Sequence, residues 1–332
     1  MTLILSHSDV AGLVDRAEVF AAVERAHADL AAGTAYAPAP PAMTLQSPGH
    51  AAGAAFIPMV AGAHSAGAAA VKMLVDLPRN AARGLPVQRS AVLVTSADTG
   101  ECEALLDGRL ITAVRTAAAS AVATKHLARP GSRVLGLVGA GTLAVEHVRA
   151  IARVSDVETV LVWSRSETTI EEFRSRTEDL DVSIKPMTSP EAVTRSSDVL
   201  CTLTPSRDPI VLGAWFGEGL HVNAVGAPPR ADHREIDGEG MRRARVVVDS
   251  VATTMTKSGE TLLALAEGAI TADDVAVELG DVIAGRAVAR TSDRDITLYN
   301  SVGIGLQDLA AARILIDTAR QRGVGTEVDL SR

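Results

Sequence analysis

Arg133-Val-Leu-Gly-Leu-Val-Gly-Ala-Gly-Thr-Leu-Ala-Val-Glu-His-Val-Arg149 is the stretch that decides the fold. An apolar run of strand length enters a turn built on Gly139 and Gly141, and apolar residues at helical spacing follow. This order is typical of a dinucleotide-binding fingerprint, in which the first glycine permits the turn and the second lets a pyrophosphate approach the backbone. The free N–H groups of the helix start then bind the phosphates. The alternative is an ordinary α/β turn. The residues expected to form this nucleotide site are Gly139, Gly141, Thr142, Leu143 and Ala144.

The next strand indicates which dinucleotide is bound. Thr159 to Trp163 is apolar and of strand length, and an NAD-selective site usually carries an acid at its end, about 20 residues beyond the glycines. Here the strand ends in Ser164, Arg165 and Ser166, and no acid occurs before Glu167. Because a guanidinium binds phosphate in a fork and no carboxylate repels it, this end favours NADP(H) over NAD(H). The alternative is that Arg165 is a solvated loop residue.

The composition limits the class of protein. At 332 residues the chain has room for two domains with sizeable cores. Its formal net charge of −8 gives no sign of nucleic acid or an anionic membrane as a partner, and no window has the roughly 18 consecutive apolar residues of a membrane span. Cys102 and Cys201 are too few for a disulfide framework, and the start Met1-Thr-Leu-Ile-Leu lacks the basic region of a signal peptide. We therefore expect a cytoplasmic protein that acts on a small molecule.

The eight histidines give little support for a metal site. None has metal-ligand spacing with another histidine or a cysteine, so we expect no metal. His50, His64, His221 and His233 are candidate general acids, although structural roles are the preferred interpretation for all eight.

The segment before residue 108 predicts a mainly antiparallel α+β domain. Asp15 is the expected N-cap of an amphipathic helix, with Glu18 three residues later, and Gly33 is its expected C-cap. Apolar runs bounded by turn residues predict strands at 54–59, 67–76, 90–95 and 102–107, and Asp98-Thr-Gly100 predicts a hairpin between the last two.

A second informative stretch runs from Gly108 to Arg129. Thr112 is the expected N-cap of an alanine-rich helix, which puts Arg115 and Thr116 in its first turn. A cation there is unfavourable, because the helix dipole prefers cations at the C-terminal end. We therefore expect an anion beside Arg115.

Strand and helix candidates alternate after the fingerprint, which predicts a doubly wound parallel sheet. Ligands bind at the carboxyl ends of the strands in such sheets, so the ends of the strands at 198–204 and 219–226 should line the cofactor crevice. The further residues expected to contact the cofactor are Thr116, Thr202, Thr204, Val225, Gly226, Ser301 and Gly303.

Several of these motifs together resemble the ornithine cyclodeaminase/mu-crystallin family, in the same order along nearly the whole chain. They are Val71-Lys72, Asp107-Gly108, Ile111-Thr112, Arg115-Thr-Ala-Ala, Gly139-Ala-Gly141, Asn223-Ala-Val-Gly226, Ser301-Val-Gly and Gln307-Asp308. The resemblance implies an α/β fold with a Rossmann-type doubly wound parallel sheet, residues 119–301, inserted into an α+β domain. That substrate-binding and dimerisation domain comprises residues 1–118 plus 302–332, so a homodimer is expected.

The resemblance also assigns roles to two basic residues. Lys72 matches a lysine beside the substrate carboxylate and the reacting carbon, and Arg115 matches a carboxylate clamp beside the nicotinamide. Such cations suit hydride transfer to a C=N bond, which needs an anchored anion to orient the carbon. The alternatives are a surface strand lysine and an interdomain salt bridge.

Two departures from the family pattern concern the substrate. Met43 stands where members usually carry a carboxylate-binding arginine, and Pro228 stands where cyclodeaminases place an aspartate. Both positions are expected to contact the substrate. Asp232 is a possible replacement for the aspartate, and its loop is one residue longer than usual.

Three hypotheses follow. The preferred one is an NADP(H)-dependent imine or ketimine reductase, or in reverse an amine or amino-acid dehydrogenase. A cyclodeaminase of ornithine or lysine that retains NAD is the second, which Pro228 and the absence of an acid at 164–166 argue against. The third is a non-catalytic binder of NADPH and a small ligand, which the retention of Lys72 and Arg115 argues against.

Overall fold

The computed structural model describes residues 1–41, 43–45 and 54–330. The chain forms two compact units, Met1–Arg115 with Ile304–Arg332 and Thr116–Gly303. The elements up to the end of the alanine-rich helix are β1 (Thr2–Leu5), α1 (His7–Leu13), α2 (Arg16–Ala32), β2 (Ala35–Tyr36), β3 (Met43–Leu45), β4 (Ala54–Ala63), β5 (Ala68–Asp76), β6 (Gln88–Ser96), β7 (Cys102–Asp107) and α3 (Arg109–Leu127).

The remaining elements begin with the strand of the glycine fingerprint. They are β8 (Val134–Val138), α4 (Thr142–Ile151), β9 (Thr159–Trp163), α5 (Glu167–Ser175), β10 (Ser183–Pro186), α6 (Pro190–Arg195), β11 (Val199–Thr202), β12 (His221–Ala224), α7 (Gly238–Arg243), β13 (Arg245–Val248), α8 (Val251–Lys257), α9 (Gly259–Ala266), α10 (Leu279–Ile283), β14 (Thr297–Asn300), α11 (Gly305–Arg322) and β15 (Thr326–Val328).

The first unit is built on a mixed sheet of eight strands, in the order β15, β1, β7, β6, β5, β4 and β2, with β3 paired to β4. Only β1 and β7 are parallel within it, and β6 and β7 form the predicted hairpin. Helix α2 begins and ends as its sequence indicates, because Asp15 accepts hydrogen bonds from the N–H groups of Ala17 and Glu18 and Gly33 adopts the left-handed conformation.

One face of this sheet is buried and the other is exposed. Successive side chains of a strand point to opposite faces, and in β5 the residues Ala68, Ala70, Lys72 and Leu74 are buried while Met73 is exposed. Helix α11 packs on β4, β5 and β6. The buried face therefore places the side chain of Lys72 in the interior of the unit.

Helix α3 does not begin at Thr112, so this prediction is wrong. The side chain of Asp107 accepts a hydrogen bond from the N–H of Arg109 at 3.2 Å, and the helix begins at Arg109. Thr112 lies inside the helix, where its hydroxyl donates to the carbonyl of Gly108 at 2.7 Å. Arg115 consequently lies in the second turn, and the argument from an unfavourable first-turn position does not apply to it.

The second unit is built on a sheet of seven parallel strands, in the order β10, β9, β8, β11, β12, β14 and β13. Except for the edge strand β10, its strands are buried almost throughout, as expected when helices cover both faces of a parallel sheet. The predicted fold class is confirmed. In the part of the chain that the structure describes, no helix is both long and apolar enough to cross a membrane.

Candidate functional site

Lys72 is a buried lysine in the middle of the first unit. It pairs across the sheet with Met59 of β4 and Val92 of β6, which are buried as well, and only 1% of its surface is exposed. An ammonium group in such surroundings is costly unless an opposite charge lies near it.

Helix α11 supplies that charge from its first turn. Gly305 lies so close to β4 that a Cβ atom there would be 2.9 Å from the carbonyl oxygen of Met59, so only glycine lets the helix start approach the strand. The approach places Oδ2 of Asp308 2.7 Å from Nζ of Lys72. Asp308 belongs to the Gln307-Asp308 motif of the sequence, but no spacing in the sequence assigns it this role.

Burial nevertheless dominates the ionisation of Lys72. Loss of hydration, together with the positive charge of Arg115, lowers the pKa of its ammonium group to about 8. The attraction of Asp308 acts in the opposite direction and is the weaker effect. Lys72 is therefore poised to gain or lose a proton near neutral pH, which is a property of general acids and bases.

Arg115 binds the same carboxylate from α3. Its Nε donates to Oδ1 of Asp308 at 3.1 Å, and its Nη1 donates to Oε1 of Gln307 at 2.6 Å. The anion beside Arg115 in the structure is thus a side chain of the protein. Lys72, Arg115, Gln307 and Asp308 together form what we call the Asp308 cluster.

The Asp308 cluster has hydrogen-bond donors to spare. Among the residues that the structure describes, the Lys72 ammonium contacts no acceptor except Asp308. The hydrogen bonds of Arg115 to Asp308 and Gln307 use its Nε and Nη1 groups and not Nη2. With Lys72 protonated, two cations face one carboxylate, so the cluster carries one net positive charge. Buried donors and a net positive charge suit a ligand with one carboxylate.

Met43 is not brought to this cluster. It pairs directly with Phe56 of β4, whose side chain lies on the face of the sheet opposite to that of Met59 and Lys72, and it is 52% exposed. Its contact with the substrate stays a prediction.

The second unit contains the predicted glycine turn. Gly139 has a φ of +113°, and a Cβ atom there would be 2.9 Å from the carbonyl oxygen of Leu203, so the position requires glycine. Gly141 is the N-cap of α4, makes no side-chain cap and has open space around its Cα, which leaves the helix N–H groups for an anion. Thr142 and Leu143 begin this helix, and buried Ala144 packs inside it.

The end of β9 adjoins this turn, because the N–H of Gly139 donates to the carbonyl of Trp163 at 2.9 Å. Arg165 is exposed and makes no ion pair among the described residues, so its guanidinium is available to a phosphate. Ser166 caps α5 by accepting from the N–H of Thr169, and the Ser164 hydroxyl accepts from the N–H of Ser166. The end of β9 therefore presents one cation and no carboxylate before Glu167.

The buried side chain of Glu235 connects the segments that follow β11 and β12. Oε1 of Glu235 accepts from the N–H and the hydroxyl of Thr204, at 2.6 and 2.7 Å, and Oε2 accepts from the N–H of Gly226 at 2.7 Å. Burial raises the pKa of Glu235 to about 7 against these hydrogen bonds. Gly226 again requires glycine, because a Cβ atom would be 2.2 Å from the nitrogen of Thr204. Sequence reasoning missed Glu235.

The other expected cofactor contacts lie in the same unit. Thr202 is buried at the end of β11 and Val225 directly follows β12, while Thr116 is buried in α3. The hydroxyl of Ser301 and the N–H of Gly303 both donate to Asp249.

Asp232 is not positioned like a buried catalytic acid. Its side chain is 58% exposed and forms ion pairs with Arg207 at 3.2 Å and with His233 at 2.9 Å. Pro228 lies at the start of this loop and is partly buried. His221 is buried in β12 with its pKa lowered to about 3, so it is neutral, whereas His50 lies outside the described residues. No group of acids, histidines and cysteines arranged for a metal ion occurs in the described part of the chain.

Comparison with known proteins identifies the family. The model of the ornithine cyclodeaminase/mu-crystallin family matches residues 1–323. The alanine dehydrogenase of Archaeoglobus fulgidus is 34% identical over 331 residues, which cover 100% of this chain and 99% of that protein. This chain belongs to the ornithine cyclodeaminase/mu-crystallin family, which confirms the resemblance seen in the motifs.

Solved structures are similar over the full length. Delta(1)-pyrroline-2-carboxylate reductase of Thermococcus litoralis, in complex with NADH and L-proline, has a TM-score of 0.92 and 34% identity over 98% of this chain and 100% of that one. An archaeal alanine dehydrogenase dimer with bound NAD has a TM-score of 0.91 and 34% identity over 99% of each chain.

Proposed function

We propose that this protein reduces imines that carry an adjacent carboxylate, with NADPH as the hydride donor, and catalyses the reverse oxidation of the corresponding amino acids. The chain is an oxidoreductase of the imine reductase and alanine dehydrogenase type, acting on C=N bonds. The observation that carries the choice of substrate is the Asp308 cluster, where Lys72 and Arg115 have unused donors around a single acid.

Each residue of the Asp308 cluster has its own proposed role in the reaction. Arg115 binds the substrate carboxylate through its free Nη2 group, and that bound anion favours the charged form of Lys72. NADPH, when bound, would supply the hydride for the imine carbon, and the C=N electron pair would move to nitrogen. The Lys72 ammonium gives its proton to that nitrogen, which leaves an amine and a neutral lysine. Asp308 holds both cations in place throughout.

NADPH is the proposed cofactor because the end of β9 offers a free arginine and two hydroxyls and no acid before Glu167. Gly139, Gly141 and the uncapped start of α4 are proposed to hold the pyrophosphate. The two similar structures were solved with NADH or NAD, so the preference for the extra phosphate needs its own test.

A homodimer formed through the first unit is also proposed. The exposed face of its sheet carries a row of directly paired apolar residues across five strands, which are Ile4, Leu105, Leu93, Val71 and Val60. A continuous apolar row of this kind is typical of an interaction surface.

Both cysteines are free thiols, as expected in the cytoplasm.

The experiment is an absorbance assay of nicotinamide oxidation. Purified protein is given NADPH or NADH with cyclic imines bearing a carboxylate, with the same rings lacking it, and with 2-oxo acids plus amines. Oxidation of NADPH that requires the carboxylate and is abolished by Lys72→Met supports the proposal. Release of ammonia from ornithine without net cofactor oxidation would instead identify a cyclodeaminase, and reduction of the rings without a carboxylate would reject the assigned role of Arg115.

A further inference from the structure

His27 of α2 is a buried histidine that contacts the Asp308 cluster through Gln307. It has no exposed surface, and its Nε2 lies 3.1 Å from Nε2 of Gln307. Gln307 in turn gives its Oε1 to Arg115. His27, Gln307 and Arg115 therefore form a continuous chain of side-chain contacts.

The donors and acceptors in this chain have one consistent arrangement. A guanidinium only donates, so the oxygen of the Gln307 amide must face Arg115 and its NH2 group must face His27. Nε2 of His27 must then accept, which requires a neutral imidazole with its proton on Nδ1. Burial lowers the pKa of His27 to about 4, which agrees with a neutral ring.

Burying the Nδ1–H group of His27 is energetically unfavourable, which indicates that this histidine has a function. Nδ1 of His27 is buried and has no hydrogen-bond partner among the described residues. An apolar side chain of similar size would fill the same space without burying an unpaired donor. What an apolar side chain would lack is the acceptor for Gln307.

We propose that His27 is a positioning residue for carboxylate recognition, acting through Gln307 on Arg115. It fixes the Gln307 amide with its oxygen toward the guanidinium, and this fixes the plane in which Arg115 presents Nη2. Without His27 the NH2 group of Gln307 loses its acceptor, so the amide is no longer held in the plane that presents its oxygen to the guanidinium. The inference rests on the carboxylate role proposed for Arg115.

The test is binding of pyrrole-2-carboxylate, an unreactive planar carboxylate, to the enzyme loaded with NADP+. His27→Phe keeps the ring size and removes the acceptor, and it should raise the Kd about tenfold. Gln307→Ala should do the same, and the double variant should bind no worse than Gln307→Ala alone, because both changes remove one chain of contacts. His27→Gln retains an acceptor and should restore most of the affinity, while the Kd for NADPH stays unchanged in all of them.

An unchanged Kd in folded His27→Phe, or losses that multiply in the double variant, would overturn the proposal. If His27→Phe does not fold, Gln307→Leu removes the same contact from the other side, and an unchanged Kd there has the same meaning. A wild-type enzyme that binds no pyrrole-2-carboxylate also overturns it. An enzyme that reduces no imine yet loses carboxylate affinity on His27→Phe keeps this proposal and rejects the proposed reaction, so the two failures are distinguishable.

Discussion

Lys72 combines a buried position with a partner of opposite charge, and the balance between them sets its chemistry. Because burial and Arg115 lower its pKa to about 8 while Asp308 holds it in place, the same group can be protonated or neutral at physiological pH. A lysine with the ordinary pKa of about 10.4 would be fully protonated at physiological pH.

This balance predicts a pH dependence with opposite signs in the two directions. Imine reduction needs the ammonium form, so kcat/KM should fall as pH rises through about 8. Oxidation of the amino acid needs the neutral amine, so kcat/KM should rise through the same pH. The measurement is the pH profile of each direction, with NADPH affinity followed as a control. The profile should span about two pH units on either side of the pKa, from about pH 6 to about pH 10. A reductive profile that is flat over this span would exclude Lys72 as the proton donor.

Arg165 is the residue on which the cofactor preference depends. Arg165→Ala should weaken NADPH binding by about 1.5 to 3 kcal/mol, because a charge-assisted contact with the 2′-phosphate is lost, and should leave NADH binding nearly unchanged. Calorimetry of both cofactors measures this. Arg153→Ala is a matched control, since Arg153 is another exposed arginine of the same unit. Equal losses for NADPH and NADH would show that Arg165 does not distinguish them.

Sequence reasoning indicates some residues of the candidate site and not others, for physical reasons. Gly139, Gly141 and Arg165 follow from local patterns, because a tight turn and a strand end impose residue types at fixed spacing. Asp308, Glu235 and His27 are partners made by long-range packing. His27 and Gln307 are 280 positions apart in the chain, so no spacing rule connects them.

At the scale of elements, the start of α11 is what brings an acid to Lys72. The first turn of this helix lies against β4 because Gly305 has no side chain to hold it away. The apolar stripe of Leu309, Ala312, Ile316 and Ala319 predicts the helix itself from local sequence. How closely the helix approaches the sheet depends on packing. The wrong start of α3 has a similar origin, since the cap comes from Asp107 at the end of the preceding strand.

Gly305→Ala should therefore impair the site. The added methyl group pushes the helix start from β4 and separates Asp308 from Lys72, so we expect kcat/KM to fall by about tenfold or more and the free energy of unfolding to fall by about 1 to 3 kcal/mol. Steady-state kinetics and denaturant titration measure the two effects. Gly12→Ala is the matched control, because a Cβ atom at Gly12 in α1 meets nothing within 4 Å. Kinetics equal to those of Gly12→Ala would show that the close approach has no role.

At the scale of the whole molecule, the sequence pattern was sufficient for the fold class, because alternating strands and helices around a glycine turn admit few arrangements. It was not sufficient for the exposed row of apolar residues on the first unit, which depends on the register of five strands.

That row predicts how the protein assembles. Leu105→Asp introduces a charge into the apolar row and should convert a dimer to a monomer, because burying an unpaired carboxylate in an interface is unfavourable. Sedimentation equilibrium measures the mass of the particle. Val288→Asp is the control, since Val288 is also exposed but lies in the second unit. A dimer that tolerates Leu105→Asp as well as Val288→Asp would place the interface elsewhere.

The most direct test of the central claim follows the hydride itself. NADPH with deuterium at the transferable position of the nicotinamide is incubated with the enzyme and a cyclic imine bearing a carboxylate, and the product is examined by mass spectrometry. The account predicts one deuterium on the carbon next to the carboxylate, and no product from Lys72→Met. Turnover that leaves the product without deuterium, or ammonia release with no net oxidation of NADPH, would contradict it.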